Sequence, residues 1–278
     1  MNEAETVFTH LLACDRASLY LKRHTRLSAA SARRLAAVLR RRIAGEPLDY
    51  ILGSSEFMGL LFRVTPDVLI PRQDTEVLVE TVLRLARRFH HNSRQSSSRD
   101  PARLDILDLG TGSGAIAVSL AHMLPVSRLL ATDSSLPALR IAQENARRHA
   151  VDGRIEFRQC DLFPGGKDCR RRFQIIVSNP PYIPSRTVAT LAPEVQAEPR
   201  RALDGGPDGL AFFRRIAQKA PLFLRPAGLL ILEMGFDQKD RVQEIVLNQK
   251  KFLIKEVVKD YNSIQRVMVA QLRGRTSA

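Results

Sequence analysis

Between Leu104 and Leu272 the chain alternates short apolar runs with amphipathic stretches, and this alternation limits the possible folds more than any other feature. The runs at 104–109, 128–132, 155–159, 173–178, 228–234, 252–258 and 265–272 have the length and apolar content of buried strands. Helical spacing of apolar residues appears between several of them, notably at 115–124, 137–149 and 210–222. Strands buried on both faces and separated by helices predict an α/β architecture with a mainly parallel sheet covered on both sides. No internal repeat is present.

The first of these strands runs into Asp108-Leu109-Gly110-Thr111-Gly112-Ser113-Gly114 and then opens a helix. Glycines there let the backbone turn sharply and let a ligand lie against the main chain. Asp133 follows the next strand, where a carboxylate can accept hydrogen bonds from both hydroxyls of an adenosine ribose. Read alone, the turn fits a dinucleotide site as well as a methyl-donor site, because Gly110 to Ala115 satisfies G-x-G-x-x-G/A. Asp108 favours the methyl donor: a carboxylate at the strand end suits a cationic amino acid and sits badly beside a pyrophosphate. Asp161, after the third strand, offers a further acceptor for the adenine or amino-acid end. A glycine turn that binds nothing is the third reading.

The fourth strand, Phe173 to Ser178, ends in Asn179-Pro180-Pro181-Tyr182. Consecutive prolines fix an extended backbone and remove two N–H donors. The crevice is left with acceptors, the Asn179 side-chain oxygen and the Pro180 carbonyl, beside the aromatic face of Tyr182. An NH₂ group donating to both acceptors has its nitrogen aimed at one point. That suits methylation of a planar, conjugated nitrogen by orientation and electrostatics, with no covalent intermediate. Adenine N6, cytosine N4, guanine N2 and a glutamine amide all present such a nitrogen, so the tetrapeptide alone does not choose among them.

Before the sheet the texture differs. Ser28 is placed to cap a helix ending near Ala44, with Leu35, Val38, Leu39 and Ile43 as its apolar stripe. Arg33, Arg34, Arg40, Arg41 and Arg42 crowd the opposite side, either as a solvated face or as a contact for RNA or a ribosome-bound partner. The apolar runs at 57–64 and 68–70 flank Thr65-Pro66-Asp67 and predict a hairpin turning at that tripeptide. A helix follows from about Thr75 to Arg88, and then a polar linker at 90–103. The expected domains are therefore a helical unit at 1–54, a β-hairpin linker at 55–72 and a larger unit at 73–278.

Composition narrows the class further. With 43 Lys+Arg against 29 Asp+Glu the formal charge is +14, which favours anionic partners such as nucleic acid. The bias is spread evenly, at +5 for residues 1–100 and +9 for the rest, so it marks no binding tail. Cys14, Cys160 and Cys169 share no metal-ligand or disulfide spacing. His90-His91 lacks a third ligand, and no metal is expected. No run reaches the roughly 20 apolar residues of a membrane span, and the first residues lack a signal-peptide layout. A cytoplasmic protein is expected.

Taken together the motifs resemble the protein-(glutamine-N5) methyltransferases of the HemK/PrmC family, which modify peptide-chain release factors. The resemblance covers nearly the whole chain. Its more specific parts are Glu56-Phe57-Met58-Gly59, the segment from Ile70 to Glu76, the segment from Glu198 to Leu210, and the segment from Lys259 to Arg266. It implies a Rossmann-like class I S-adenosylmethionine-dependent methyltransferase fold with a seven-stranded sheet, behind a small helical domain that helps dock the release factor. Asp108, Gly110, Thr111, Gly112, Ser113, Gly114, Asp133, Asp161, Leu162 and Asn179 would bind S-adenosylmethionine and release S-adenosylhomocysteine. Leu162 would lie beside the adenine and Asn179 near the methyl.

The resemblance also implies that Asn179, Pro180, Pro181 and Tyr182 bind the glutamine of a Gly-Gly-Gln tip, with Asn179, Pro180 and Tyr182 catalytic. A monomer with no stable nucleic-acid partner and no membrane contact is expected. Gln73 stands where relatives often carry proline, and Leu162 where some carry tryptophan. A nucleic-acid amino-methyltransferase of the same fold, acting on adenine N6 or guanine N2, is the alternative. It would need a larger target-recognition region than any insertion here supplies. A non-catalytic binding module is disfavoured by the intact donor loop and Asn179.

Overall fold

The computed structural model describes residues 2–21, 24–93, 103–165 and 172–274, the side chains of 88–93 excepted. Four helices open the chain: α1 (Glu3–Leu12), α2 (Arg16–Leu21), α3 (Ala29–Ile43) and α4 (Leu48–Leu52). Asn2 and Glu5 form a reciprocal capping box on α1, and Ser28 caps α3 as its sequence predicts. The predicted apolar stripe of α3 is not buried, with Leu39 and Ile43 at 50% and 85% exposure. Only the short helices α1 and α4 pack on it to any extent, and they cannot cover a whole face. Arg42 ties this region to the rest of the chain by pairing with both Glu3 and Glu194.

A two-stranded hairpin, β1 (Ser54–Phe57) and β2 (Leu60–Arg63), follows. It turns at Met58-Gly59, not at Thr65-Pro66-Asp67. Both turn residues have positive φ, 52° and 71°, the left-handed backbone of a two-residue hairpin loop. The Met58 N–H donates to Glu76, 2.6 Å away on the next helix, which anchors a turn that methionine would not favour by itself. Thr65 to Val68 forms a separate turn, closed by the Val68 N–H donating to the Thr65 carbonyl at 3.0 Å, and 69–70 belongs to no strand. Helix α5 (Gln73–Ser93) then runs past Arg88 into the predicted linker. Residues 94–102 of that linker lie outside the described residues, as does Cys169.

The remaining elements are β3 (Leu104–Leu109), α6 (Ala115–Met123), β4 (Ser127–Asp133), α7 (Leu136–Arg148), β5 (Ile155–Gln159) and β6 (Phe173–Ser178). Three short helices, α8 (Ser185–Val188), α9 (Pro193–Gln196) and α10 (Arg200–Leu203), lead to α11 (Ala211–Lys219), β7 (Leu224–Glu233), α12 (Lys239–Asn248), β8 (Phe252–Lys259) and β9 (Gln265–Leu272). The seven strands form one sheet in the order β5-β4-β3-β6-β7-β9-β8. All pairs are parallel except those of β9, which inserts antiparallel between β7 and β8. This is the predicted α/β architecture with a class I methyltransferase sheet.

One face of the sheet packs Val82, Leu85 and Leu120 of α5 and α6 against Ile106, Ile175 and Ile231. The other packs Phe213 and Ile216 of α11 and Val242 of α12 against Leu107, Ile176 and Leu230. Each fully buried Leu or Ile of this kind stabilises the fold by roughly 1.5–3 kcal/mol. Strand order fixes where a ligand can enter. From β3 the chain winds outward to β4 and β5, then returns to place β6 on the other side of β3. At that reversal the loops leaving β3 and β6 diverge and open a crevice at their carboxyl ends. Those two loops carry Gly110–Gly114 and Asn179–Tyr182. No helix among the described residues is long and apolar enough to cross a membrane.

Candidate active site

The loop after β3 is built by positive φ at Gly110, Gly112 and Gly114 (73°, 55° and 82°). The N–H groups of Gly110 and Thr111 donate to the Thr132 carbonyl at 2.8 and 2.9 Å, which pins the loop to β4. Gly114 starts α6, and a Cβ there would lie 3.0 Å from the Ala142 Cβ on α7. Gly114→Ala is expected to cost about 1–3 kcal/mol from the left-handed backbone alone. Urea unfolding measures this, and an unchanged midpoint would contradict the reading of the loop.

Two carboxylates serve this loop in different ways. Asp133, at the end of β4, accepts from the N–H groups of Gly112 and Ser135 at 2.9 and 2.8 Å and lines the cleft. Each of its oxygens keeps a lone pair for a further donor. Asp108 is fully buried, with Oδ2 accepting from the Thr111 hydroxyl at 2.7 Å and Oδ1 without a partner among the described residues. Burial pushes its pKa up to about 7, opposed by the Thr111 hydrogen bond. A nearby cation would restore its charge.

The cleft runs from this loop across Asp133 and Ala138 to Asp161, Leu162 and Phe212. Leu162 holds φ at 64°, and its carbonyl accepts from the Thr132 hydroxyl at 2.7 Å, so the strained backbone is anchored from β4. Asp161 pairs with Arg215, whose guanidinium also lies 5.6 Å from the centre of the Phe212 ring. Thr111, Ser113 and Gly114 are buried behind the surface of the cleft and shape it through the backbone. The Asp133 carboxylate and the apolar slot beside Leu162, with the charge of Asp108 buried behind the cleft and not lining it, fit an adenosyl group carrying a cationic amino acid. Among the described residues no group of three or more His, Cys, Asp or Glu is placed to hold a metal ion.

On the other side of the reversal, Ser178 ends β6 and its hydroxyl donates to the Leu109 carbonyl at 2.7 Å, so the two loops are held edge to edge. The Asn179 Nδ2 donates to the Thr75 hydroxyl at 3.1 Å, which leaves Oδ1 for the crevice. A second depression, lined by Arg72, Tyr182, Ile183 and Leu203, adjoins the first. Leu69, Asn179, Pro180 and Ala202 line both.

Residues 198–210 and 70–76 pack around this tetrapeptide, and 259–266 brace the start of α5. Gly205 and Gly209 press against the backbone of Pro181 and Tyr182, where an added Cβ would meet the Tyr182 carbonyl at 2.4 Å from Gly209. Gln238 donates to the same carbonyl at 2.8 Å. Buried Glu198 accepts from the Ile70 N–H at 3.0 Å and pairs with Arg72. Asp260 holds Arg266 at 3.0 Å, and Arg266 reaches Asp74 at the start of α5. Thr75, Phe212, Arg215 and Gln238 were not predicted as site residues. Only contacts between remote parts of the chain reveal them.

Comparison with known proteins gives the following. The family described as the PrmC N-terminal domain matches residues 1–53, and the Methyltransferase small domain matches residues 96–209. The chain is 42% identical over 272 residues to the release factor glutamine methyltransferase of Moorella thermoacetica, covering 98% of this chain and 91% of that one. It is 33% identical to the release factor-specific protein-(glutamine-N5) methyltransferase of Alicyclobacillus acidocaldarius, covering 76% of this chain and 99% of that one, at a TM-score of 0.42. The fold also matches the catalytic domain of hMettl16 at a TM-score of 0.59 and 16% identity, over 90% of this chain and 82% of that one.

Proposed function

The chain belongs to the release factor glutamine methyltransferase family, and from that premise we infer that Asn179, Pro180, Pro181 and Tyr182 hold the glutamine amide of a release-factor Gly-Gly-Gln tip. The protein is an S-adenosylmethionine-dependent protein-glutamine methyltransferase. The alternative acceptors, adenine N6 and guanine N2, are not favoured. One observation carries the assignment of the site: the two depressions share Asn179 and Pro180 as a common wall. A donor lying along Asp133 and an acceptor lying against Tyr182 would meet there.

S-adenosylmethionine, when bound, supplies a methyl group made electrophilic by its sulfonium. Asp133 would hold the ribose hydroxyls, Asp108 would balance the cationic amino acid, and Leu162 and Asp161 would flank the adenine. Gly110, Thr111, Gly112, Ser113 and Gly114 would shape the floor. The acceptor nitrogen is a poor nucleophile, because its lone pair is delocalised into the amide carbonyl. Asn179 Oδ1 and the Pro180 carbonyl accept from its two N–H bonds, drawing density onto nitrogen and fixing its direction, and one of these two protons would leave to solvent as the N–C bond forms. Tyr182 stacks on the planar amide. Pro180 and Pro181 keep competing N–H donors out of the wall.

Residues 1–54 are read as the docking unit, 55–72 as the linker and 73–278 as the methyltransferase domain. The match to the PrmC N-terminal domain at 1–53 supports the first boundary. The enzyme acts as a monomer in the cytoplasm, with no stable nucleic-acid partner. Offering labelled S-adenosylmethionine with release factor, DNA and ribosomal RNA in turn tests the substrate class. Label is expected in the release factor, and label entering only a nucleic acid would overturn the reading.

A further inference from the structure

We propose that Thr75 and Glu233 are positioning residues for this reaction: Glu233 orients the Thr75 hydroxyl, and that hydroxyl decides which way round the Asn179 amide faces. The proposal rests on the reading that Asn179 Oδ1 accepts a hydrogen bond from the substrate amide.

The two ends of a carboxamide have nearly the same shape, so packing cannot choose between them. Only hydrogen-bond partners can. A flipped Asn179 would present NH₂ to an NH₂, donor against donor, and the acceptor on which the site depends would be lost. Here Nδ2 points at the Thr75 hydroxyl oxygen, 3.1 Å away in the first turn of α5. A hydroxyl both donates and accepts, so Thr75 by itself enforces neither orientation. Its own hydrogen must be committed elsewhere before its lone pairs are reserved for Asn179.

Glu233, buried with both oxygens unpartnered among the described residues, is the acceptor left to take that hydrogen. It ends β7 at 1% exposure. The hydroxyls of Thr75 and Tyr182 complete no hydrogen bond to it in this structure, yet they favour its anion, as does the charge of Arg266 on β9; Asp74 on α5 opposes them. Arg266 is itself engaged by Asp74 and Asp260, at 3.0 Å each. Burial leaves Glu233 raised to about 7. Ionised, it can only accept, so the Thr75 hydrogen turns toward it and the Thr75 oxygen faces Asn179. Protonated, it can donate to Thr75 and send the Thr75 hydrogen toward Asn179, which favours the flipped amide.

The test uses the full-length enzyme with its release factor. Turnover is measured from about pH 6 to pH 9, with donor affinity measured by calorimetry. Thr75→Val keeps shape and removes the acceptor. It is expected to lower kcat on the order of 10²-fold, with donor affinity unchanged and Thr75→Ser restoring most of the rate. Glu233→Gln is expected to lower kcat and to remove the fall in rate on the acid side. Because the folded pKa is raised, the ionised side chain burdens the fold as pH rises through about 7. The same variant should therefore melt higher than wild type above that pH while working more slowly. A residue that merely supports the fold would not show both. Wild-type kcat in Thr75→Val, or an intact acid limb in Glu233→Gln, overturns the proposal. Asn179→Ala run alongside separates the two levels. If it stays active, the site reading fails; if it is inactive while both other variants behave as wild type, only the positioning role fails.

Discussion

Asn179→Ala is expected to lower kcat for methyl transfer by about 10²–10³-fold, the usual cost of losing one aimed hydrogen-bonding group, while donor affinity stays within a few-fold of wild type. The asymmetry follows from where contacts lie. Asn179 stands at the wall shared by both depressions, whereas the remainder of the donor cleft is formed by Asp133, Leu162 and the glycine loop. Removing the side-chain amide leaves the Pro180 carbonyl as the one acceptor, so the nitrogen is held at a single point and is free to rotate. The Thr75 hydroxyl loses its partner as well. Single-turnover transfer from labelled donor, with calorimetry on the same variant, measures both effects. Unchanged turnover would remove Asn179 from the mechanism.

Asp133→Ala should act on the other substrate, weakening donor affinity by about 10- to 100-fold, as expected for lost hydrogen bonds to a charged group. Its carboxylate already organises the loop by accepting from Gly112 and Ser135, and it faces the cleft where ribose hydroxyls would lie. The loss therefore combines a loosened loop with missing ribose contacts. Asp133→Asn separates them: one oxygen survives to accept from the backbone, so an intermediate affinity is expected. Both variants should approach wild-type kcat at saturating donor, because neither touches the acceptor amide. Calorimetric affinity equal to wild type in Asp133→Ala would count against the donor site.

Much of this architecture is legible in sequence because parallel strands are buried on both faces. Ile175, Ile176 and Val177 are fully buried together, and such runs need no tertiary information to be read as strands. The loops leaving β3 and β6 were legible for the same reason, since glycines or prolines placed directly after a buried strand fall in the crevice. The hairpin turns elsewhere than the sequence predicts because Pro66-Asp67 is the stronger local turn signal. Met58 adopts its left-handed conformation with the help of Glu76, a contact 18 residues away. The exposed face of α3 escaped because periodicity reports an apolar stripe and not whether anything covers it. Thr75 and Glu233 had no local signal at all. Thr75 lies on α5, and Glu233 ends β7 beside the end of β6, so only tertiary structure relates them to Asn179. The antiparallel entry of β9 between β7 and β8, which brings Arg266 to Asp74, is likewise a property of topology.

Charge illustrates the same division. A balance of +14 argues for anionic partners, yet many of these arginines are held by carboxylates within the fold. Arg41 pairs with Glu46, Arg42 with Glu3 and Glu194, Arg72 with Glu198, and Arg215 with Asp161. Under the proposed reading the acceptor atoms at the end of β6 hold the reacting nitrogen, and the formal charge says nothing about which nitrogen that is.

The central claim concerns one nitrogen, and fragment mass spectrometry of the release factor after reaction reads it directly. The peptide containing Gly-Gly-Gln should gain one methyl mass on the glutamine side chain, at a rate lower by about 10²–10³-fold when Asn179→Ala replaces the wild-type enzyme. A methyl group on any other residue or on the main chain, or a release factor left unmodified by an enzyme that binds its donor, would contradict the account.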